Sequence, residues 1–347
     1  MDVETYNAIE PVAGGWDELA ERTGAPPWLR AGWMAAWWRA FGNGDLHIIA
    51  IRRENALAAI APLVSRGGTL SSPTNWHTPD FRLTAEDDEA KTALLEAVYA
   101  TGRHRITFGF VDQRDADSCR EVAERGGFRV LERTLEQPPF VPTDGDREAY
   151  ERSMDRHVMS ETRRRRRRLS EQGDLVFEVS DGSEGLDPLL EEGFRVEASG
   201  WKAQAGTAII SQEETLRFYT ELARWNVENG WLRLAFLRLD GRAIAFQYLV
   251  EYGGVVSQLK GGFDEEYRKL APGTLLLQDV IAWAFDGDAT RYEFLGAEEA
   301  FKLEWAQGQH QRSLVQAFAP SFRGLVDRTA WTYGRPLAKR IRDLVRR

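Results

Sequence analysis

Residues 231–285 read WLRLAFLRLDGRAIAFQYLVEYGGVVSQLKGGFDEEYRKLAPGTLLLQDVIAWAF, and three strands follow one another inside this stretch. Leu232–Leu239, Ala243–Tyr252 and Val255–Phe263 are apolar runs of strand length. The dipeptides Asp240-Gly241 and Gly253-Gly254 between them supply the positive-φ residues that a two-residue hairpin turn needs. A basic turn, Arg268-Lys269-Leu270-Ala271-Pro272-Gly273, then leads into a helix over Thr274–Phe285 and a strand over Tyr292–Leu295. Strands in a meander followed by a helix-to-strand crossover predict a mixed sheet with helices packed on it.

Outward from this core, a strand over Leu175–Val179 and helices near Leu186–Ala198 and Glu213–Asn229 precede the meander. A long helix is predicted from Asp146 to Glu171. Glu298–Trp305 reads as helix, Ser313–Ala319 as strand and the tail as helix again. The first 140 residues repeat the order. Helices at Trp16–Arg22 and Trp28–Phe41 precede strands at Leu46–Arg52 and Ala56–Val64, and Glu86–Thr101, Ile106–Val111, Ala116–Arg125 and Phe128–Leu135 alternate helix and strand. Trp33, Trp37 and Phe41 recur at fourfold spacing and read as a core-facing stripe. Gln137-Pro138-Pro139 and Pro142-Thr143-Asp144-Gly145 punctuate the chain. The expected division is 1–141 and 142–347, with the duplication inferred from element order alone.

The 347 residues carry 45 basic and 54 acidic side chains, a net charge of −9. The distribution is uneven: residues 152–168 and 321–347 are each +6, which leaves −21 on the remainder. Of the basic residues 39 are arginine and 6 lysine, so each lysine is informative. A single cysteine, Cys119, excludes an intramolecular disulfide and a cysteine metal cluster, and the five histidines have no ligand-like spacing, so no metal is expected. The opening Met1-Asp2-Val3-Glu4 has no basic n-region or apolar h-region, and no run approaches the ~18 apolar residues of a membrane span. The expectation is a soluble cytoplasmic protein.

Between Arg163 and Trp305 lies an ordered series of short motifs: Arg163–Leu169, Glu197-Ala198-Ser199-Gly200-Trp201-Lys202, Gly206-Thr207-Ala208, Gly230-Trp231-Leu232, Lys260-Gly261-Gly262-Phe263-Asp264, Pro272-Gly273, and Glu293-Phe294-Leu295-Gly296 leading to Lys302 and Trp305. In order and spacing this series resembles the CelD/BcsL-like acetyltransferase family. The resemblance implies an α/β fold (α+β, mixed sheets) of two tandem GNAT-like acyltransferase domains in a FemABX-like arrangement. It also implies acetyl-CoA or another acyl-CoA as co-substrate and a link to polysaccharide or cell-envelope biosynthesis.

A phosphate-bearing donor needs backbone N–H groups at a helix start. Arg268, Ala271, Pro272, Gly273 and Thr274 are the candidates, fitting the GNAT pattern Gln/Arg-x-x-Gly-x-Gly/Ala except that Ala271 replaces the first glycine. The alanine Cβ and the missing Pro272 N–H leave fewer donors and tighter sterics. The first half has no such turn at Ser71–Asp80, so it is expected to lack its own active site. Transfer to an amine or hydroxyl calls for general acid and base help. Glu197 and Glu293 are candidate bases, against an ion-pair reading for Glu197 with Lys202. Lys202, Lys260 and Lys302 are candidate compact cationic donors, against a role as strand caps. Phe301 precedes Lys302 where relatives commonly have tyrosine, leaving Tyr248, Tyr267 and Tyr292 as phenol candidates. No Ser/His/Asp or Cys-based nucleophile is readable.

The run Arg163–Arg168 covers every azimuth of a helix. A solvated face paired with acidic residues competes there with a grip on an anionic acceptor, a lipid diphosphate, CoA phosphates or tRNA. The acidic background argues against nucleic acid. The tail Arg323–Arg347 intersperses Leu325, Trp331, Leu337, Ile341 and Leu344 with basic residues, and packing on its own domain is preferred to a membrane surface. The leading expectation is an acyltransferase acting on a small or sugar-like, anionic-compatible acceptor. The rivals are an aminoacyl-tRNA-dependent transferase and a non-catalytic binding module.

Overall fold

A computed structural model describes residues 1–199, 206 and 208–334. In chain order its elements are β1 (Asp2–Tyr6), α1 (Ala13–Arg22), α2 (Ala31–Phe41), β2 (Asp45–Arg53), β3 (Ala56–Arg66), β4 (Thr69–Ser71), β5 (Thr84–Ala85), α3 (Asp88–Tyr99), β6 (Arg105–Val111), α4 (Gln113–Arg125) and β7 (Arg129–Glu136). There follow β8 (Pro139–Pro142), α5 (Arg147–Ser153), α6 (Arg156–Ser170), β9 (Leu175–Ser180), α7 (Leu186–Glu197), α8 (Glu213–Glu228), β10 (Leu232–Leu239), β11 (Arg242–Tyr252) and β12 (Val255–Phe263). The last are α9 (Pro272–Asp286), β13 (Arg291–Glu293), α10 (Ala300–Leu303), β14 (Gly308–Gln309), β15 (Arg312–Phe318) and α11 (Phe322–Thr329). Two compact units result. Unit 1 takes Met1–Met34, Gly42–Glu136 and Gln311–Arg347, and unit 2 takes Ala35–Phe41 and Gln137–His310.

Unit 2 is built on a sheet of order β14-β8-β13-β12-β11-β10-β9, with β12/β13 its one parallel pair among the described residues. The hairpins form as the sequence predicts: Asp240 and Gly241 have φ of 48 and 81, and Gly253 and Gly254 have 57 and 75, the pattern of a type I′ turn. β11 is buried on both faces from Ala243 to Val250, as a central strand covered by helices must be. Leu275, Leu276, Val280 and Ile281 of α9 pack with Ala235, Leu237, Ala245 and Leu249 in the core. Phe41 of α2 meets Phe218 of α8 with ring centroids 5.2 Å apart.

Unit 1 repeats the scheme in the order β1-β2-β3-β4-β6-β15-β7, with β5 added to β3 and β4/β6 the parallel pair. Its core sets Leu94, Leu95 and Val98 of α3 and Cys119 of α4 against Ile49, Ile106 and Phe108. Both parallel pairs part after three residues. In unit 1 the gap is filled. Ser72 Oγ accepts the Gly109 N–H at 2.9 Å, Phe81 N–H donates to Phe110 O at 3.0 Å, and a Cβ on Gly109 would stand 2.9 Å from Thr74 Oγ1.

Three expectations need correction. The chain returns to unit 1 after His310, so β15 lies between β6 and β7 and does not close the second unit as the 142–347 division implied. The proline-rich punctuation includes β8, a strand of unit 2. The long helix from Asp146 to Glu171 is two helices, because Met154 is extended and Asp155 caps a new start by accepting the N–H groups of His157 and Val158.

Candidate active site

The site of unit 2 begins where β12 and β13 diverge. They pair only over Val255–Ser257 and Arg291–Glu293. Beyond that point β13 follows its other neighbour: Phe294 N–H donates to Pro139 O at 3.1 Å. β12 meanwhile carries a bulge opposite Tyr248 and Leu249, which pair with Lys260 and Gln258 and leave Leu259 extra. A bulge bends its strand and re-aims side chains. The result is a cavity of about 500 Å³.

The motif stretches converge on it. Glu197 and Ser199 from the end of α7, Lys260, Gly262 and Phe263 from β12, Arg268, Ala271, Gly273 and Thr274 at the start of α9, and Phe294, Phe301 and Lys302 all line this one cavity. The spacing has a physical cause: a Cβ on Gly262 would lie 2.5 Å from Glu197 Cα, so the glycine lets α7 press its last residue against the strand. Ser199 Oγ then accepts the Glu265 N–H at 3.0 Å and ties the same helix end to the turn after β12.

The individual candidates separate sharply. Glu197 is only 1% exposed, and its Oε2 accepts the N–H of Ile209 at 2.9 Å. Lys260 Nζ stands 5.7 Å from the Tyr219 ring centroid, a cation–π contact. Lys302 is turned to its own loop: Nζ donates to Leu295 O at 2.9 Å and Ala297 O at 3.2 Å, and lies 3.0 Å from Glu299 Oε2. Leu295 and Gly296 both have positive φ, 52 and 62, so this ammonium fixes an otherwise strained turn. Glu293 does not line the cavity. It is buried with Oε1 2.9 Å from His310 Nε2 and 2.8 Å from Arg291 Nε, which argues against it as a base for this site. Lys202, with Gly200, Trp201 and Thr207, lies outside the described residues.

At the turn, Ala271 has φ 47 and ψ 55, the left-handed conformation that the glycine of the pattern would adopt, so the backbone of the turn survives the exchange. Thr274 and Leu275 N–H groups return to Ala271 O at 3.0 and 3.2 Å. Pro272, buried as first helical residue, does not line the cavity and has no N–H to offer. That leaves Gly273 as the first-turn N–H with no acceptor among the described residues, at the cavity wall near Arg268 and the Thr274 hydroxyl. The residues therefore fit a phosphate group, with a narrower cradle than a two-glycine turn would give.

No tyrosine, histidine or cysteine is among the described lining residues. Burial pushes the phenols of Tyr248 and Tyr292 up, and both are fully buried. Tyr292 Oη lies 3.2 Å from Gln247 Oε1 and 2.9 Å from Gln258 Oε1, and so orients two glutamines that do line the cavity. Sequence reasoning missed both glutamines, although their place on adjacent strands beside Lys260 was open to register analysis. Cys119 lies in unit 1, buried, with burial pushing its thiol up.

In the arginine run Arg165 and Arg166 are half-buried, and Arg166 reaches α9, donating to Asp279 Oδ1 at 2.6 Å and Leu275 O at 3.3 Å. Arg164 pairs with Glu161 and Arg167 with Glu171, within their own helix.

Residues 156–303 match the family model described as acetyltransferase (GNAT) domain. No curated protein matches the sequence. Among solved structures, FemX aligns at 14% identity and a TM-score of 0.58 over 91% of this chain and 97% of its own. The C-terminal domain of a putative lysylphosphatidylglycerol synthetase from Agrobacterium fabrum aligns at 16% and 0.56, over 90% and 96%. The structure of L-PGS from Bacillus licheniformis aligns at 13% and 0.55, over 91% and 94%. At such identity these likenesses concern the fold. The chain forms two units, each a mixed sheet with one parallel pair among its described residues, and the residues that match the GNAT domain all lie in the second.

Proposed function

We propose that unit 2, which contains all the residues matching the GNAT domain, transfers an acyl group, acetyl in the simplest case, from acyl-CoA to an amine or hydroxyl of a small or sugar-like acceptor. The observation that carries this reading is the meeting of the separate motifs at one cavity, opened where β12 and β13 part and edged by the Ala271–Thr274 turn. Acyl-CoA would supply a thioester whose C–S bond breaks as the acceptor nitrogen or oxygen bonds to the acyl carbon. Gly273 N–H, Thr274 and Arg268 are placed for a phosphate. Glu197 is the buried carboxylate at the wall and the candidate to take the acceptor's proton; its hydrogen bond from Ile209 holds it in place. Lys260 supplies positive charge at the bulge, suited to an anionic group on the acceptor or to the departing thiolate.

The test is calorimetric titration of the folded protein with acetyl-CoA and longer acyl-CoAs, which should bind with one site per chain. Absence of binding by all of them overturns the reading. With an acceptor in hand, Glu197→Gln should lower kcat by about 10²–10⁴ and leave donor affinity unchanged.

A second reading, aminoacyl transfer from a charged tRNA, draws on the exposed Arg163, Arg164, Arg167 and Arg168. It predicts RNA binding that weakens steeply with salt, and a flat response excludes it. Links to polysaccharide or cell-envelope synthesis and a CelD/BcsL-like assignment belong to the same proposal and rest on the motif series.

A further inference from the structure

Helix α11 faces the wrong way for a helix that only packs on its own unit. α11 starts at Ser321, whose Oγ accepts the Gly324 N–H at 3.2 Å. It is attached to unit 1 by its small and polar side. A Cβ on Gly324 would lie 2.2 Å from Ala319 O, Asp327 Oδ2 sits 3.0 Å from Arg105 Nη1 and 3.2 Å from His104 Nε2, and Arg105 lies 5.4 Å from the Trp331 ring centroid. Its apolar side faces out: Phe322 is 81% exposed, Leu325 54% and Val326 50%. Positions i, i+3 and i+4 form one stripe, and a surface helix of a globular protein normally turns that stripe to the core. Of the apolar residues read in the tail, Leu325 faces out and Trp331 lies against Arg105, while Leu337, Ile341 and Leu344 lie outside the described residues.

Positive charge surrounds this stripe. Arg323 and Arg328 lie on the helix, and Phe322 and Arg323 share with Arg103 and His104 an open hollow of about 520 Å³ that no acidic side chain lines among the described residues. Among the described residues Arg103, Arg323 and Arg328 have no carboxylate within salt-bridge distance. The sequence beyond, 335–347, adds six basic residues against Asp343, with Leu337, Ile341 and Leu344 between them. On a chain of net charge −9, an apolar stripe flanked by unpaired arginines is complementary to an anionic lipid surface. RNA would use the arginines and leave the three apolar side chains without a role.

We propose that unit 1 docks on anionic phospholipid through α11. Phe322, Leu325 and Val326 enter the interfacial region, and Arg103, Arg323 and Arg328 meet the lipid phosphates. No described helix is long and apolar enough to cross a membrane, so the attachment is peripheral.

Flotation of the full-length protein with vesicles of phosphatidylcholine alone, or with about a third phosphatidylglycerol, tests this at ~0.1 M salt. The expected result is at least tenfold stronger binding to the anionic vesicles, falling as salt rises. Phe322→Ser with Leu325→Ser should weaken binding about tenfold or more with an unchanged melting temperature. Arg103→Glu with Arg323→Glu, which leaves the apolar stripe intact, should remove the preference for anionic lipid. Equal binding by the serine variant, or no vesicle binding by the parent protein, overturns the proposal. So does a serine variant whose only change is from dimer to monomer, since the stripe would then be covered by a second copy. Acyl-CoA titration of the same variants should be unchanged, which separates this surface from the cavity of unit 2.

Discussion

Ala271 holds a backbone conformation (φ 47, ψ 55) that places its Cβ close to the neighbouring carbonyl, at a cost of roughly 1–2 kcal/mol. Glycine would escape that cost but lose about 0.5–1 kcal/mol in unfolded-state entropy. Ala271→Gly should therefore shift unfolding stability by about 0–1.5 kcal/mol, in the stabilising direction. Ala271→Val, β-branched in the left-handed region, should destabilise by more than 1 kcal/mol. Urea unfolding of the three proteins decides. Lys302 was legible in the sequence as a meaningful lysine, but its role was not, because that depends on where Nζ points. With Leu295 O, Ala297 O and Glu299 all within reach, Lys302→Met should leave the buried Leu295 carbonyl unpaired and cost about 1–3 kcal/mol. Faster amide exchange over 294–300 than in the parent would locate the loss, and unchanged exchange there would refute the assignment. Glu293 shows the opposite limit: its motif position suggested a base, whereas the partners that occupy it, Arg291 and His310, are distant in any sequence pattern or masked by a general excess of arginine.

Among elements, local signals were readable and pairing was not. The β10–β12 hairpins follow from two dipeptides, and the second start at Asp155 was also open to reading, since an Asp at that position is a cap signal. β8 was hidden by its own prolines: Pro139 and Pro142 argue against a strand, yet they sit at its two ends, where a missing N–H is tolerated. Helix α6 illustrates how six arginines resolve into four exposed and two half-buried, of which Arg166 is held by α9. Burial pushes the carboxyl of Asp279 up, and Arg166 works against that shift. An acid whose native pKa exceeds its unfolded value binds more protons when folded, so its contribution to stability falls as pH rises through that window. Arg166→Met removes the opposing cation and widens the window. The variant should lose about 1–3 kcal/mol at pH 7, discounted for partial exposure, and markedly less near pH 4. Thermal melts across pH 4–8 measure it, and a pH-independent difference would show that Arg166 acts through packing alone.

At the scale of the whole chain, the path runs from unit 1 into unit 2 and back, and the sequence could not show the return. β15 reads RSLVQAF and is buried at six of its seven positions, and its short mixed pattern does not say which sheet it joins. Its place is set by seven residues paired to β7 and by a second ladder to β6, both more than 170 residues away in sequence. The path makes the two ends of the chain interdependent. A chain ending at His310 would keep every described strand of unit 2 but remove from unit 1 the strand that joins β6 to β7. β7 would lose its one partner among the described strands, and β6 would expose a row of unpaired backbone groups. The buried Val315 and Ala317, which pack with Phe108 and Val122, would leave the core of unit 1 open as well. The truncated chain should show two unfolding transitions or an aggregation-prone first half, with slow amide exchange retained only across β10–β12. Cooperative unfolding at the parent's midpoint would mean that β15 contributes little to unit 1. Acyl-CoA titration of the same truncation asks a separate question, since every described residue lining the cavity precedes the cut. Binding that survives alongside a disordered first half would place the donor site in unit 2 alone.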